Sequence, residues 1–179
     1  MTMLQTVVFF LLPVFGSLCG DNGNQRIIEL QSQLRLISDS LGSLMSQCGN
    51  VIAFHATLSN EVANLPEKSP LVFDTVKINM GGGYNSTSGI FIAPVGGVYV
   101  CDWTILTKAN VYFHSELVVN GLRMAANNLH ASNLKHRQAT TMTIVKLDAG
   151  DLVWIQPYQG YKGTYAYGSE WSKFSCFKL

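Results

Sequence analysis

FDTVKINMGGGYNSTSGIFIAPVGGVYVCDW, residues 73–103, decides how the rest of the 179-residue chain is read. Its aromatic and glycine positions recur at intervals that suit short strands joined by tight turns. The Gly81-Gly82-Gly83 run and the Gly96-Gly97 pair supply backbone freedom at corners, and Pro94 removes a ladder donor where a strand has to stop. Between those corners, Ile90, Phe91 and Ile92 and then residues 98–103 form runs of β-branched and aromatic side chains that predict buried strands.

Outward from this stretch the strand signals continue. Residues 111–122 hold a strand or hairpin ending on the turn dipeptide Asn120-Gly121; residues 139–147 alternate, 148–151 turn the chain, and 152–157 return as a strand. Residues 60–70 read as a polar loop with Pro66 and Pro70, and residues 123–137 as polar and irregular. Many short strands separated by turn signals predict an all-β sandwich or jelly roll.

Phe73, Asn79, Tyr84, Phe91, Gly97 and Tyr99 fall at the intervals of a known signature, a phenylalanine, an asparagine, two aromatics and Gly-x-Tyr. In this the chain resembles the globular domain of complement C1q. The family's next two alternating aromatics are here Cys101 and Trp103, and the glycine of its closing Phe-x-Gly-Phe is here Cys176. Residues 51–58 (VIAFHATL), 116–121 (ELVVNG), 149–154 (AGDLVW) and 174–179 resemble further strands of the family, so the likeness spans residues 51–179. It implies the ten-stranded jelly roll shared with tumour necrosis factor, assembled as a trimer.

Lys and Arg number 12 against 11 Asp and Glu, a formal charge of +1, so no whole-molecule field draws the chain to nucleic acid or to an anionic membrane. Residues 7–12 are apolar without a break, and residues 4–18 carry no charge before Cys19, Gly20 and a polar DNGN segment. Residues 1–20 therefore read as a secretory signal peptide, too short to span a bilayer comfortably, with a retained amino-terminal anchor as the alternative. Cleavage there leaves Cys48, Cys101 and Cys176, which in an oxidising compartment suggest one bridge and one thiol over. By analogy with the C1q fold, Cys101 and Cys176 lie on neighbouring strands and are the natural pair, two independent buried thiols being the alternative.

Ile27, Leu30, Leu34, Ile37, Leu41, Leu44 and Cys48 step alternately by three and four, an apolar heptad seam flanked by uncharged Gln31, Gln33, Ser38, Ser40 and Gln47. Residues 21–49 are thus expected to form a short coiled coil that self-associates ahead of a C1q-like domain at residues 50–179; an amphipathic helix folded onto that domain is the alternative. A parallel coil feeding three domains suits the trimer that the resemblance implies. Cys48, at the end of the seam, is then a candidate for an interchain disulfide that links two chains or joins two trimers into a hexamer. No Gly-X-Y run occurs in these residues, so a collagen stalk is not expected.

No catalytic constellation is visible. There is no Gly-x-Ser-x-Gly elbow, no His-Glu-x-x-His and no phosphate loop ending in Gly-Lys-Ser/Thr, and His55, His114, His130 and His136 lack zinc-ligand spacing. The chain is not expected to be an enzyme. Some C1q-like domains bind calcium, so a calcium cofactor stays open, with no motif to fix its ligands.

Two stretches suit binding. Residues 158–171, YQGYKGTYAYGSEW, gather tyrosines and a tryptophan around glycines, and Tyr161 and Lys162 are the candidates for exposure; packing of Tyr165 and Tyr167 within a trimer interface is the competing reading. Arg123 with Lys135, His136 and Arg137 forms the second, a basic set that, repeated in a trimer, would grip anionic glycans, lipopolysaccharide phosphate or sialic acid; a solvated loop is its alternative. Asn85-Ser86-Thr87 is an N-glycan acceptor. The reading is a secreted, extracellular homotrimer or hexamer, lectin-like and acting in innate immunity on microbial surface polymers or glycans. The alternative is a cerebellin-like or tumour-necrosis-factor-like ligand that clusters a cell-surface receptor.

Overall fold

The computed structural model describes residues 23–48, 51–132 and 135–179. The signal peptide expected over residues 1–20 lies outside these residues, as does the Cys48 side chain. The chain divides into two units, Met1–Gly49 and Asn50–Leu179.

In the first unit, α1 (Gly23–Cys48) is a helix of 26 residues. The seam side chains Ile27, Leu30, Leu34, Ile37 and Leu41 are all more than half exposed, so the heptad pattern forms a helix whose apolar stripe stands open.

In the second unit, ten strands build two five-stranded antiparallel sheets. The first is ordered β3-β1-β12-β6-β9: β3 (Thr75–Met80), β1 (Ala53–Thr57), β12 (Lys173–Lys178), β6 (Gly97–Lys108) and β9 (His136–Leu147). The second is ordered β4-β5-β10-β7-β8: β4 (Tyr84–Asn85), β5 (Ile90–Ile92), β10 (Leu152–Pro157), β7 (Ser115–Val119) and β8 (Leu122–Asn127). A two-stranded ribbon of β2 (Val62–Leu65) and β11 (Gly163–Ala166) brings the total to twelve.

Two expectations are corrected. Residues 60–70 are not simply loop, since β2 lies within them; its partner β11 satisfies its backbone groups although neither face alternates cleanly. Residues 123–137 are not irregular throughout. β8 occupies Leu122–Asn127 as the edge strand beside β7, where a mostly exposed strand needs no apolar alternation.

The signature residues form the core. Phe54 stacks on Tyr84 at 4.5 Å and on Phe91 at 5.0 Å and meets Phe174 edge-on at 4.9 Å, while Phe91 meets Tyr99 at 5.7 Å. Asn79 closes the β3–β4 turn: its Nδ2 donates to Tyr84 O (2.9 Å) and its Oδ1 accepts from Tyr84 N (3.1 Å). Within that turn a Cβ on Gly83 would stand 2.5 Å from the Phe91 ring, which accounts for a glycine there. The buried hydroxyl of Tyr84 donates to Phe73 O at 3.0 Å, and the Trp103 indole to Ser115 Oγ at 2.8 Å. Burial pushes the Tyr84 phenol far above its usual range, against the smaller effect of that hydrogen bond. Cys101 and Cys176 oppose each other in the β6–β12 register and are joined by a disulfide, both fully buried.

Candidate functional site

Strand direction separates the two ends of the sandwich. Ile52 O accepts from Lys178 N and Val98 O from Leu179 N, so β1, β6 and β12 bring both termini of this unit to one end. The segments 109–114, 128–132 and 158–172 therefore gather at the opposite, far end.

Two aromatic and basic clusters stand at that far end. The first begins on the outer face of the second sheet, where Trp154 and Gln156 of β10 lie across from Val118 and Glu116 of β7. Trp154 Nε1 donates to Gln156 Oε1 at 2.7 Å, and Gln156 Nε2 to Glu116 Oε1 at 2.8 Å. The other oxygen of buried Glu116 lies 3.6 Å from Arg123 Nη1, and the Arg123 guanidinium covers the Tyr158 ring at 4.7 Å. Tyr158 leads to Tyr161 (6.1 Å), which meets His114 edge-on at 4.7 Å and Tyr112 at 5.8 Å, while Tyr112 and His114 stack at 5.2 Å. Burial, with a smaller effect of the nearby His130 charge, lowers the His114 pKa from its usual 6.5. Its Nδ1 is buried without a hydrogen-bond partner in the protein, as is Asn127 Nδ2.

The second cluster continues the outer face of the first sheet. Lys108 of β6 pairs with His136 of β9. Lys108 Nζ sits 3.9 Å over the Tyr165 ring, Tyr165 and Tyr167 meet edge-on at 4.9 Å, and His136 approaches Tyr167 at 5.3 Å. Thr107 Oγ1 donates to Tyr165 O (2.7 Å) and Tyr167 N to Leu106 O (2.9 Å), which fixes both tyrosines to β6. Desolvation raises the Tyr165 phenol, and Glu61 and Tyr167 add to the shift.

The sequence-derived candidates are thereby sorted. Arg123 and Tyr161 come together in the first cluster, whereas His136 belongs to the second. Arg137 is bound through Nη1 to His130 O at 2.9 Å, and Lys135 and Lys162 are exposed. The basic set separates because β8 and β9 belong to different sheets. Sequence reasoning passed over Tyr112, Glu116 and Lys108 as binding residues and took in Tyr158 only as part of the tyrosine-rich stretch 158–171. The alternation of Trp154 and Gln156 along β10, continued by Tyr158 just past its end, was the available signal for the first cluster.

Asn85, in β4, is exposed, and its Oδ1 accepts from Thr87 N and Ser88 N in a tight turn. Among the described residues no group of three His, Cys, Asp or Glu is placed to hold a metal ion, and no helix is long and apolar enough to cross a membrane.

At the terminal end, the outer face of the first sheet is apolar. Met80, Ala53, Phe177, Val100 and Ile144 are cross-strand partners in one row over all five strands. The next row is Ile78, His55, Ser175, Asp102 and Met142, with His55 Nδ1 2.8 Å from Ser175 Oγ. Ile144 is 60% exposed, Met142 66% and Phe177 44%, on a face left open by the described residues of this unit. Burial raises the Asp102 carboxyl above its ordinary value, against the opposing charges of Lys173 and His55.

The second unit is an antiparallel jelly roll with two aromatic clusters at one end. Residues 53–179 match the C1q domain family, and the chain belongs to it. Complement C1q tumor necrosis factor-related protein 2 of Mus musculus is 34% identical over 106 residues, 59% of this chain and 35% of that protein. The chain thus spans about a third of the length of such curated relatives. The globular domain of zebrafish complement 1qA superposes with a TM-score of 0.59 at 20% identity, covering 72% of this chain and 97% of the other. Murine APRIL gives 0.58 at 11% identity, covering 73% and 100%. The fold is therefore the C1q and tumour-necrosis-factor jelly roll.

Proposed function

We propose that this chain is a secreted, lectin-like pattern-recognition protein of innate immunity that acts as a homotrimer and binds glycans on microbial surfaces at the far end of its C1q domain. The observation that carries the reading is the first aromatic cluster. Tyr161 is 43% exposed and Arg123 half-exposed, and both are held by packed neighbours in a form suited to a sugar ring stacked on tyrosine with an acidic substituent at the guanidinium. The trimer is supported by the apolar rows at the terminal end of the first sheet and by the exposed heptad seam of α1. Weak sites repeated in one assembly gain strength on a repetitive surface through effective concentration. An interchain bond at Cys48 would extend the assembly to a hexamer, and Asn85 is proposed to carry an N-glycan.

The test is a glycan and microbial-polymer array probed with the intact protein, its mass fixed beforehand by light scattering, with calcium and with chelator. Selective binding that free sugar competes and that Tyr161→Ala and Arg123→Ala each reduce at least tenfold is expected. A trimer that binds no glycan refutes the lectin reading. The second reading, a ligand that clusters a cell-surface receptor, is favoured by the resemblance to the C1q tumor necrosis factor-related protein and to the APRIL fold. It predicts saturable, sugar-insensitive binding to host cells.

A further inference from the structure

We infer that the second cluster, Lys108, His136, Tyr165 and Tyr167, is a separate anion site that is completed only between copies of the chain and takes a sulfated or carboxylated oligosaccharide. The inference rests on the homotrimer proposed above but not on the Arg123 and Tyr161 site.

The argument starts from parity along two long strands. β6 and β9 pair without a register break from Gly97↔Leu147 to Lys108↔His136. Side chains at even separations share a face. Val100↔Ile144, Asp102↔Met142 and Lys108↔His136 are therefore on one side of the same two strands, the side on which Met142 and Ile144 stand exposed. The face changes character along its length. It is apolar at Val100 and Ile144, passes through Thr104↔Thr140, whose hydroxyls meet at 2.8 Å, and ends in the basic and aromatic cluster eight residues on from Val100. At about 3.3 Å per residue that end lies roughly 26 Å from the apolar row.

Copies that cover their apolar rows around a rotation axis running along the strands bring like ends together. The heptad helix precedes β1 in the chain, and a parallel coil of such helices would favour copies with like ends together. Each copy then contributes one Lys108 and one His136 to a common rim, with Tyr165 and Tyr167 as its flat walls. One Lys108, already held over Tyr165 at 3.9 Å, is a weak anion site. Several facing one another repel until an anion is bound, so their grip on a multiply charged chain exceeds that of separate lysines. Binding and assembly are accordingly linked, and the anion stabilises the trimer.

The probe is a fully sulfated octasaccharide, titrated calorimetrically into the full-length protein whose trimer mass has been established. With the first cluster's guanidinium removed by Arg123→Ala in every chain, the expected result is one octasaccharide per three chains, at least tenfold weaker binding when Lys108→Ala is added, and weaker binding when His136→Ala is added. In that background the octasaccharide should raise the Tm, and with Lys108→Ala added it should not. Ile144→Asp, designed to separate the copies, should lose the site. Where that variant fails to fold, trimers co-assembled from chains with and without Lys108→Ala replace it, and binding should fall more steeply than the fraction of chains that keep Lys108. A stoichiometry of one per chain, full affinity in Lys108→Ala, or a strictly proportional fall in mixed trimers overturns the inference. Loss of glycan binding in Arg123→Ala with the octasaccharide site intact, or the reverse, tells the failure of one site from that of the other.

Discussion

Replacing either cysteine of the Cys101–Cys176 bridge has a cost that the chain-entropy account specifies in advance. The bridge closes a loop with a sequence separation of 75, and releasing that constraint from the unfolded chain amounts to about 4.5 kcal/mol at 25 °C. Both positions are fully buried, so Cys→Ala also removes a sulfur from packed core, about 1 kcal/mol at each position. For a domain of this size each kcal/mol moves Tm by about 3–5 °C, and the single substitution should lower it by roughly 15–25 °C. The diagnostic comparison is among Cys101→Ala, Cys176→Ala and the double variant, followed by near-UV circular dichroism at one protein concentration. Either single change already destroys the crosslink, so the double should fall only a few degrees below the singles, a strongly non-additive cycle. Small, additive losses would show that the two sulfurs contribute by packing alone and would refute the crosslink account.

Three further outcomes follow from the core and its rim. Tyr84→Phe removes the donor to the Phe73 carbonyl inside the aromatic cluster and should cost about 1–2 kcal/mol in urea unfolding, with the m-value unchanged. Gly83→Ala places a Cβ 2.5 Å from the Phe91 ring and 2.6 Å from Ile92 O; the turn has to shift, and the loss should be about 1–3 kcal/mol by the same assay. At Asp74, burial alone would raise the pKa, but the hydrogen bonds from the Ser59 hydroxyl and Ser59 N outweigh it and hold the carboxyl below its usual 3.8. A depressed carboxylate stabilises the fold above its unfolded pKa and loses that contribution as pH falls through the folded value. Asp74→Asn should therefore lower Tm at pH 7, and the gap to the wild type should close as pH falls through the folded pKa of Asp74, as a Tm series across pH would show.

The core was legible because its residues act through properties visible in one dimension. Phe73, Tyr84, Phe91 and Tyr99 are large and apolar at strand spacing, and all four are buried. Asn79 was legible only as a position. That its amide spans the turn to both backbone groups of Tyr84 depends on where β3 and β4 sit, which spacing does not state. β2 escaped notice for a related reason: Asn64 takes a positive φ of 55° and Pro66 follows directly, so its local signals are those of a loop, and pairing with β11 across a hundred residues overrides them. The candidate site was legible in composition but not in partition. Arg123 and His136 are thirteen residues apart, yet the crossing from β8 to β9 passes from one sheet to the other and delivers them to different clusters.

That partition bears on how assembly and recognition coexist in so small a domain. In the proposed trimer, the apolar rows of Met80, Phe177, Val100 and Ile144 at the terminal end of the first sheet would be covered by another copy and closed to a ligand. The second sheet carries its polar network, Trp154, Gln156, Glu116 and Arg123, on the opposite side of the sandwich, where a copy packed on the first sheet does not reach. Tyr158 and Tyr161 extend that network to the far end, and the Tyr158 turn is tied to the scaffold through its N–H to His114 O at 2.9 Å. Substitutions in the first cluster should consequently change ligand binding without changing mass, and substitutions in the apolar rows should change mass first. A variant at Tyr161 that dissociated the assembly would place the interface on the wrong sheet and remove the basis for both sites.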